Sequence, residues 1–119
     1  MPSGEIQYIV QVTVEREIQP DWLGWMQSEH VPAVLGTGCF SSADIFRVAD
    51  PPAADRSDAY VIVYRAKSPA DLQRYLRDFA PALRKEVVDR YGSRFTANRL
   101  VLERVWTAPE GQIRAATGG

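Results

Sequence analysis

Residues 59–71 read Ala-Tyr-Val-Ile-Val-Tyr-Arg-Ala-Lys-Ser-Pro-Ala-Asp, and this short run holds a strand, a junction and a helix start. The stretch 59–66 is apolar on both faces in its middle, as a strand is when it lies inside a sheet or has its outer face covered by a partner. Ser68-Pro69-Ala70-Asp71 follows at once. It offers a capping hydroxyl, a proline at the first helical position where its missing N–H does no harm, and an acid three residues on. Leu72, Tyr75, Leu76, Phe79, Leu83 and Val87 then share one helical face. Pro81 is expected to bend this helix and Gly92 to cap it.

Upstream, residues 6–15 alternate cleanly: Tyr8, Val10, Val12 and Val14 point one way, Gln11, Thr13 and Glu15 the other, with Ile9 among them. Pro20 and Asp21 open a helix whose 100° spacing aligns Trp22, Trp25, Met26, Glu29 and Ala33, with Leu23, His30 and Val34 widening the stripe. Pro32 predicts a kink or restart near 30–32, and Gly36-Thr37-Gly38 ends the element. Residues 39–48 make a second strand without a clean apolar parity; 49–57 are loop by their Pro, Ala and Asp content; 95–106 supply the last strand. The order is β-α-β-β-α-β, a ferredoxin-like α+β fold with two helices on one face of a four-stranded antiparallel sheet. Residues 1–106 form this domain, and 107–119, poor in apolar anchors, are expected to be a flexible tail. The bare face of the sheet is expected to carry Ile9, Val61, Val63 and Val101 among Gln11, Thr13, Arg65, Arg99 and Glu103. Such a mixed apolar surface is usually covered, so a homodimer through that face is expected.

With 119 residues there is room for one domain, and a formal net charge of −1 gives no reason to expect nucleic acid as a partner. Cys39 is the only cysteine, which excludes an intrachain disulfide and suits a reducing compartment. Neither a signal sequence nor an apolar run long enough to span a bilayer is read, so no membrane role and a cytoplasmic location are expected.

The run Trp25-Met26-Gln27-Ser28-Glu29-His30-Val31-Pro32-Ala33-Val34-Leu35-Gly36-Thr37-Gly38-Cys39-Phe40 resembles the signature of a bacterial family of unknown function placed among the dimeric α/β-barrel proteins. Asp71 to Leu76, Ala80 to Arg84 and Tyr91 to Phe95 resemble the same family, so the likeness extends over about residues 6–105. The resemblance implies the fold and a dimer, and no particular reaction. The wider superfamily includes cofactor-free monooxygenases, polyketide cyclases, muconolactone isomerases and haem-degrading enzymes, many with a cleft between helices and sheet. In the haem-degrading relatives the ligand histidine lies on the second helix, which here has none.

Glu29 and His30 are the candidate catalytic pair. A carboxylate in the middle of an apolar stripe must be paired, neutralised or opened to a cavity, and a cleft acid or base with His30 as its proton partner would satisfy that. Pairing of Glu29 with an arginine, or bonding of both side chains to backbone freed by Pro32, would satisfy it equally. Trp22, Trp25, Met26, Tyr8 and Tyr64 are candidate pocket walls, although helix tryptophans are more often plain core. A single histidine and a single thiol make a metal site unexpected, and no glycine-rich phosphate loop occurs; no cofactor is expected. The reading that results is a dimeric domain binding a small aromatic or apolar molecule, as a cofactor-independent cyclase or isomerase working by acid–base catalysis. Its rivals are a cofactor-free monooxygenase of the same fold, and a non-catalytic metabolite- or protein-binding dimer whose helix–sheet space is filled.

Overall fold

The computed structural model describes residues 5–111. Four strands form one antiparallel sheet: β1 (Ile6–Glu15), β2 (Phe40–Arg47), β3 (Ser57–Ala66) and β4 (Phe95–Glu103), in the spatial order β2-β3-β1-β4. The double-sided apolar strand β3 is accordingly internal, flanked by β1 and β2. It starts earlier than its composition suggests, at Ser57, because β1 pairs with it along its whole length, from Ile6 with Ala66 to Glu15 with Ser57.

Each helical excursion is broken where a proline removes a donor. The first runs as a short 3-10 turn at Arg16–Ile18, α1 (Gln19–Trp25), a π-turn (Met26–His30) and α2 (Val31–Leu35). Pro32 cannot donate to a carbonyl one turn back, and the Val31 N–H reaches Met26 O, one residue beyond the α-helical partner. The restart expected near 30–32 is present in this form. The second excursion is α3 (Pro69–Asp78) and α4 (Ala80–Tyr91), separated at Phe79, whose φ of −121° leaves the helical range. Pro81 thus breaks the helix rather than bending it. The α3 cap is as read: the Ser68 hydroxyl accepts from Asp71 N at 3.0 Å and donates to the Asp71 carboxylate at 2.9 Å. Gly92 closes α4 at φ 59° and ψ −130°, a conformation open to glycine alone.

The pleat sorts the sheet into two faces. Ile6, Tyr8, Val12 and Val14 of β1, Tyr60, Ile62 and Tyr64 of β3, and Phe40 of β2 are buried beneath the helices together with Trp22, Met26, Val34, Leu72, Tyr75 and Ala80. The uneven parity of β2 comes from a bulge between Phe40 and Ser42, which moves the inward positions from Phe40 to Ala43 and Ile45. The register of β4 corrects the sequence reading. Tyr8 pairs with Val101 and Val10 with Arg99, so Val101, Arg99 and Glu103 lie on the helix side, while Leu100 and Leu102, opposite Ile9 and Gln7, lie on the open side. The open face therefore presents Phe46, Val61, Val63, Leu100 and Leu102 around a buried Ile9. Strand β4 stops at Glu103, before Trp106; residues 104–109 are neither helix nor strand, and of the tail expected to be flexible, 112–119 lie outside the described residues.

Among the described residues no helix is long and apolar enough to cross a membrane.

Candidate functional site

A cleft of about 420 Å³ opens over β1 and β4, between the first helical excursion and α4. Its walls are Val10, Val12, Trp22, Met26, Val87, Val88, Phe95 and Ala97, and its polar groups are His30, Arg84 and Arg99. Those three, with Val10 and Met26, also line a narrow inner chamber of about 40 Å³ closed by Tyr8, Ile62, Tyr64 and Tyr75. An apolar channel ending in a few convergent polar groups is the usual form of a small-molecule site.

His30 is brought in by the π-turn. Trp22, Met26, His30 and Val34 are spaced by four residues, and in an unbroken α-helix that row would drift by about 40° per step. The π-turn is wound less tightly and holds all four toward the sheet: Trp22, Met26 and Val34 are buried, and His30 reaches the cleft. The same change of phase turns Glu29 and Ala33 outward; both are exposed. Glu29 lies instead along an open surface groove with Asp21, Trp25, Ser28 and Arg90. The expectation that Glu29 interrupts a buried stripe does not hold, and the two candidate catalytic residues face different sides of the helix.

The His30 ring stacks on Trp25 with centroids 5.2 Å apart, and the Arg90 guanidinium also lies over Trp25, its carbon 5.3 Å from the ring centroid. His30 Nδ1 is buried without a hydrogen-bond partner. Burial, and secondarily the positive charge of Arg99, push the imidazole down to about 4, so it is neutral at pH 7 and keeps a lone pair on one nitrogen.

The inner chamber is aromatic and protonated. Tyr8, Phe40, Tyr64 and Tyr75 pack together, with Phe40 and Tyr75 edge to face at 4.8 Å. Burial pushes the Tyr64 and Tyr75 phenols well above their ordinary value, so both stay neutral hydroxyls. Arg84 Nη2 donates to the Tyr8 hydroxyl at 2.8 Å, while Arg84 Nε is buried and unpartnered.

Of the residues proposed from sequence, the structure gathers His30, Met26, Trp22, Tyr8 and Tyr64 around the cleft. Trp22 is mainly core, 1% exposed, with its ring 5.0 Å from that of Tyr60. Trp25 stands behind His30 rather than in the wall. The sequence alone does not single out Arg84, Arg99 or Tyr75. Arg84 had a signal, since it sits four residues after Ala80 and seven before Tyr91, on the inward face of α4; Arg99 was hidden by the wrong parity for β4.

Residues 5–105 match the family described as domain of unknown function DUF4286. The chain belongs to this family. No curated protein matches it. Solved structures share the fold at low identity. A protein described as dimeric and ferredoxin-like, from an uncultured marine organism, is 13% identical, covers 87% of this chain and 98% of its own, and superposes with a TM-score of 0.56. A protein of the EthD (ethyl tert-butyl ether) family from Bacillus halodurans is 14% identical over 83% of this chain and 98% of its own, with a TM-score of 0.61. SnoaB, a cofactor-independent oxygenase from Streptomyces nogalater, is 15% identical over 91% of this chain and 100% of its own, with a TM-score of 0.60. These likenesses show a ferredoxin-like α+β fold for the DUF4286 chain.

Proposed function

We propose that this protein binds a small aromatic or polyketide-like molecule in the His30 cleft and acts as a cofactor-independent isomerase or cyclase, with His30 as the proton acceptor. The observation that carries the reading is a neutral, partnerless imidazole at the inner end of an apolar cleft of about 420 Å³. The step it suits is proton removal next to a carbonyl. The C–H proton passes to the imidazole nitrogen, and the electron pair moves onto the carbonyl oxygen to give an enolate. The imidazolium then returns the proton to a different carbon, giving the isomer. In a cyclisation the enolate carbon bonds to a second carbonyl carbon, and the proton goes to the new alkoxide. Arg84, Arg99 and the Tyr64 hydroxyl line the chamber where the oxyanion develops, and preorganised donors of that kind lower such barriers. Glu29, on the surface, has no part in this scheme.

The test is exchange of the α-protons of 2-tetralone in D₂O followed by NMR. The protein should raise the rate at least about a hundredfold over buffer, the low end of the range general bases contribute, and His30→Gln should return it to the buffer rate. Equal rates for the two proteins would sink the catalytic assignment.

A second reading draws on the likeness to SnoaB. The same enolate could reduce dioxygen directly, and an oxygen electrode would then record uptake with substrate and no added metal.

The open face of the sheet supports association with a second copy. Phe46, Leu100 and Leu102 are exposed there beside Val61 and Val63, with the Arg65–Asp44 ion pair, 2.7 Å long, toward the β2 edge.

A further inference from the structure

We infer that the cleft is selective for a monoanionic aromatic ligand, whose carboxylate or phenolate oxygen lies between the guanidinium groups of Arg84 and Arg99 while its rings run along Val10, Met26 and Val87. The inference names the substrate class of the site proposed above, and it rests on the cleft being a ligand site.

Its first ground is that these two arginines, unlike seven others, meet no carboxylate; among the described residues Arg47 and Arg56 also lack one, but they lie outside the cleft and its chamber. Arg16, Arg65, Arg74, Arg77, Arg90, Arg94 and Arg104 each pair with a carboxylate within 4.0 Å. Arg84 and Arg99 come from different elements, α4 and β4, yet both line the same inner chamber, and among the described residues neither pairs with an acid. The residues lining the cleft and the chamber include no Asp or Glu at all. Arg99 is exposed and Arg84 half-buried, and an anion bound where both line the chamber gains from two positive charges with no acid there to compete for them.

The second ground is unspent hydrogen bonding. Arg84 uses Nη2 on Tyr8, but its Nε is buried and unpartnered, as is His30 Nδ1 in the same chamber. An ionised oxygen is the acceptor that gains most from a guanidinium donor. The third ground is size. The inner chamber holds about 40 Å³, against the roughly 10–15 Å³ that a cavity needs to admit one water, so it suits a small oxygen-bearing head group while the larger apolar cleft takes the body.

Isothermal titration with 2-naphthoate and with its neutral analogue 2-naphthylmethanol tests this on the full chain. The acid should bind at least about tenfold more tightly than the alcohol, one charge-assisted contact being worth that much or more. Arg99→Gln, at the rim, should remove most of the preference; Arg84→Gln should do the same, with Arg84→Lys restoring part of it. Circular dichroism shows whether each variant is folded, and Arg99→Gln keeps the test decisive if the Arg84 variants are not. Equal binding of acid and alcohol overturns the anion inference and leaves the cleft as a ligand site. No binding of either in the millimolar range overturns both. A preference for the acid that survives both arginine exchanges overturns the assignment to these residues. Arginine-dependent binding of the acid, together with no exchange of 2-tetralone protons, keeps this inference and removes only the catalytic one.

Discussion

Arg84 of α4 donates through Nη2 to the hydroxyl of Tyr8 of β1 at 2.8 Å, across 76 residues of chain. The bond does two things at once. It fixes the guanidinium over the inner chamber, and it gives the hydroxyl oxygen a donor inside an aromatic cluster where an unpaired oxygen would be costly. Tyr8→Phe removes the acceptor and leaves a partly buried guanidinium without it. Urea unfolding should show a loss of about 1–3 kcal/mol, the cost of stranding a buried polar group. Binding of 2-naphthoate should persist in this variant, because the arginine is still present and one more of its donors is free.

His30 makes stability depend on pH in a defined window. Its folded-state value is about 4 against an ordinary 6.5, through burial first and Arg99 second. Arg84 and Arg99 share its chamber from α4 and β4, and Tyr8, Tyr64 and Tyr75 do so from β1, β3 and α3; no carboxylate is among them. Between these two values the unfolded chain takes up a proton that the folded chain refuses. Stability therefore falls as pH drops from about 6.5 to about 4, and this contribution is level below that. The full span is at most about 3.4 kcal/mol at 1.36 kcal/mol per pH unit. Urea midpoints of wild type and His30→Gln between pH 7 and pH 4 should diverge, the wild type losing more; parallel curves would refute the assignment.

Glu29 and His30 show where sequence reading succeeds and where it stops. The strand order, the Ser68 cap, the Pro32 restart and the Gly92 stop were legible because each rests on local chemistry that no tertiary contact overrides. The inward face of the first helix was not. A period of 3.6 assigns Glu29 to the core, whereas one π-turn, caused by the same Pro32, advances the phase and substitutes His30. Strand β4 failed for a related reason. Val101 and Leu100 are equally apolar, and only the pairing of Tyr8 with Val101 decides which faces the helices. Arg84 and Arg99 were invisible as a pair because they meet only through that register.

Since Glu29 is exposed, Glu29→Gln should be close to silent. Its effect on unfolding free energy should stay within about 0.5 kcal/mol, as for surface exchanges generally, and 2-naphthoate binding should be unchanged. A tenfold change in binding would return the carboxylate to the site.

Two glycines separate backbone freedom from space. A Cβ on Gly24, inside α1, meets nothing within 4 Å, so Gly24→Ala should stabilise the protein by up to about 1 kcal/mol through helix propensity. A Cβ on Gly92 also meets nothing, yet φ 59° and ψ −130° are barred to alanine, and Gly92→Ala should cost about 1–3 kcal/mol. Thermal melts of the two variants should shift in opposite directions although neither substitution creates a clash.

The open sheet face yields the last prediction. Phe46 on β2 and Leu100 on β4 are 53% and 37% exposed in the single chain, so replacing either with Glu removes little packing within one copy. If two copies bury this face against each other, each exchange places two unpaired carboxylates in an apolar interface, where desolvation outweighs any remaining contact. Sedimentation velocity should give a dimer for the wild type and a monomer for Phe46→Glu with Leu100→Glu, while far-ultraviolet circular dichroism stays the same. The cleft opens on the opposite side of the sheet, so the monomeric variant should keep its affinity for 2-naphthoate. A variant that stays dimeric would mean that another surface joins the copies, and a wild type that sediments as a monomer would leave the apolar row on β2, β3, β1 and β4 in need of a different partner.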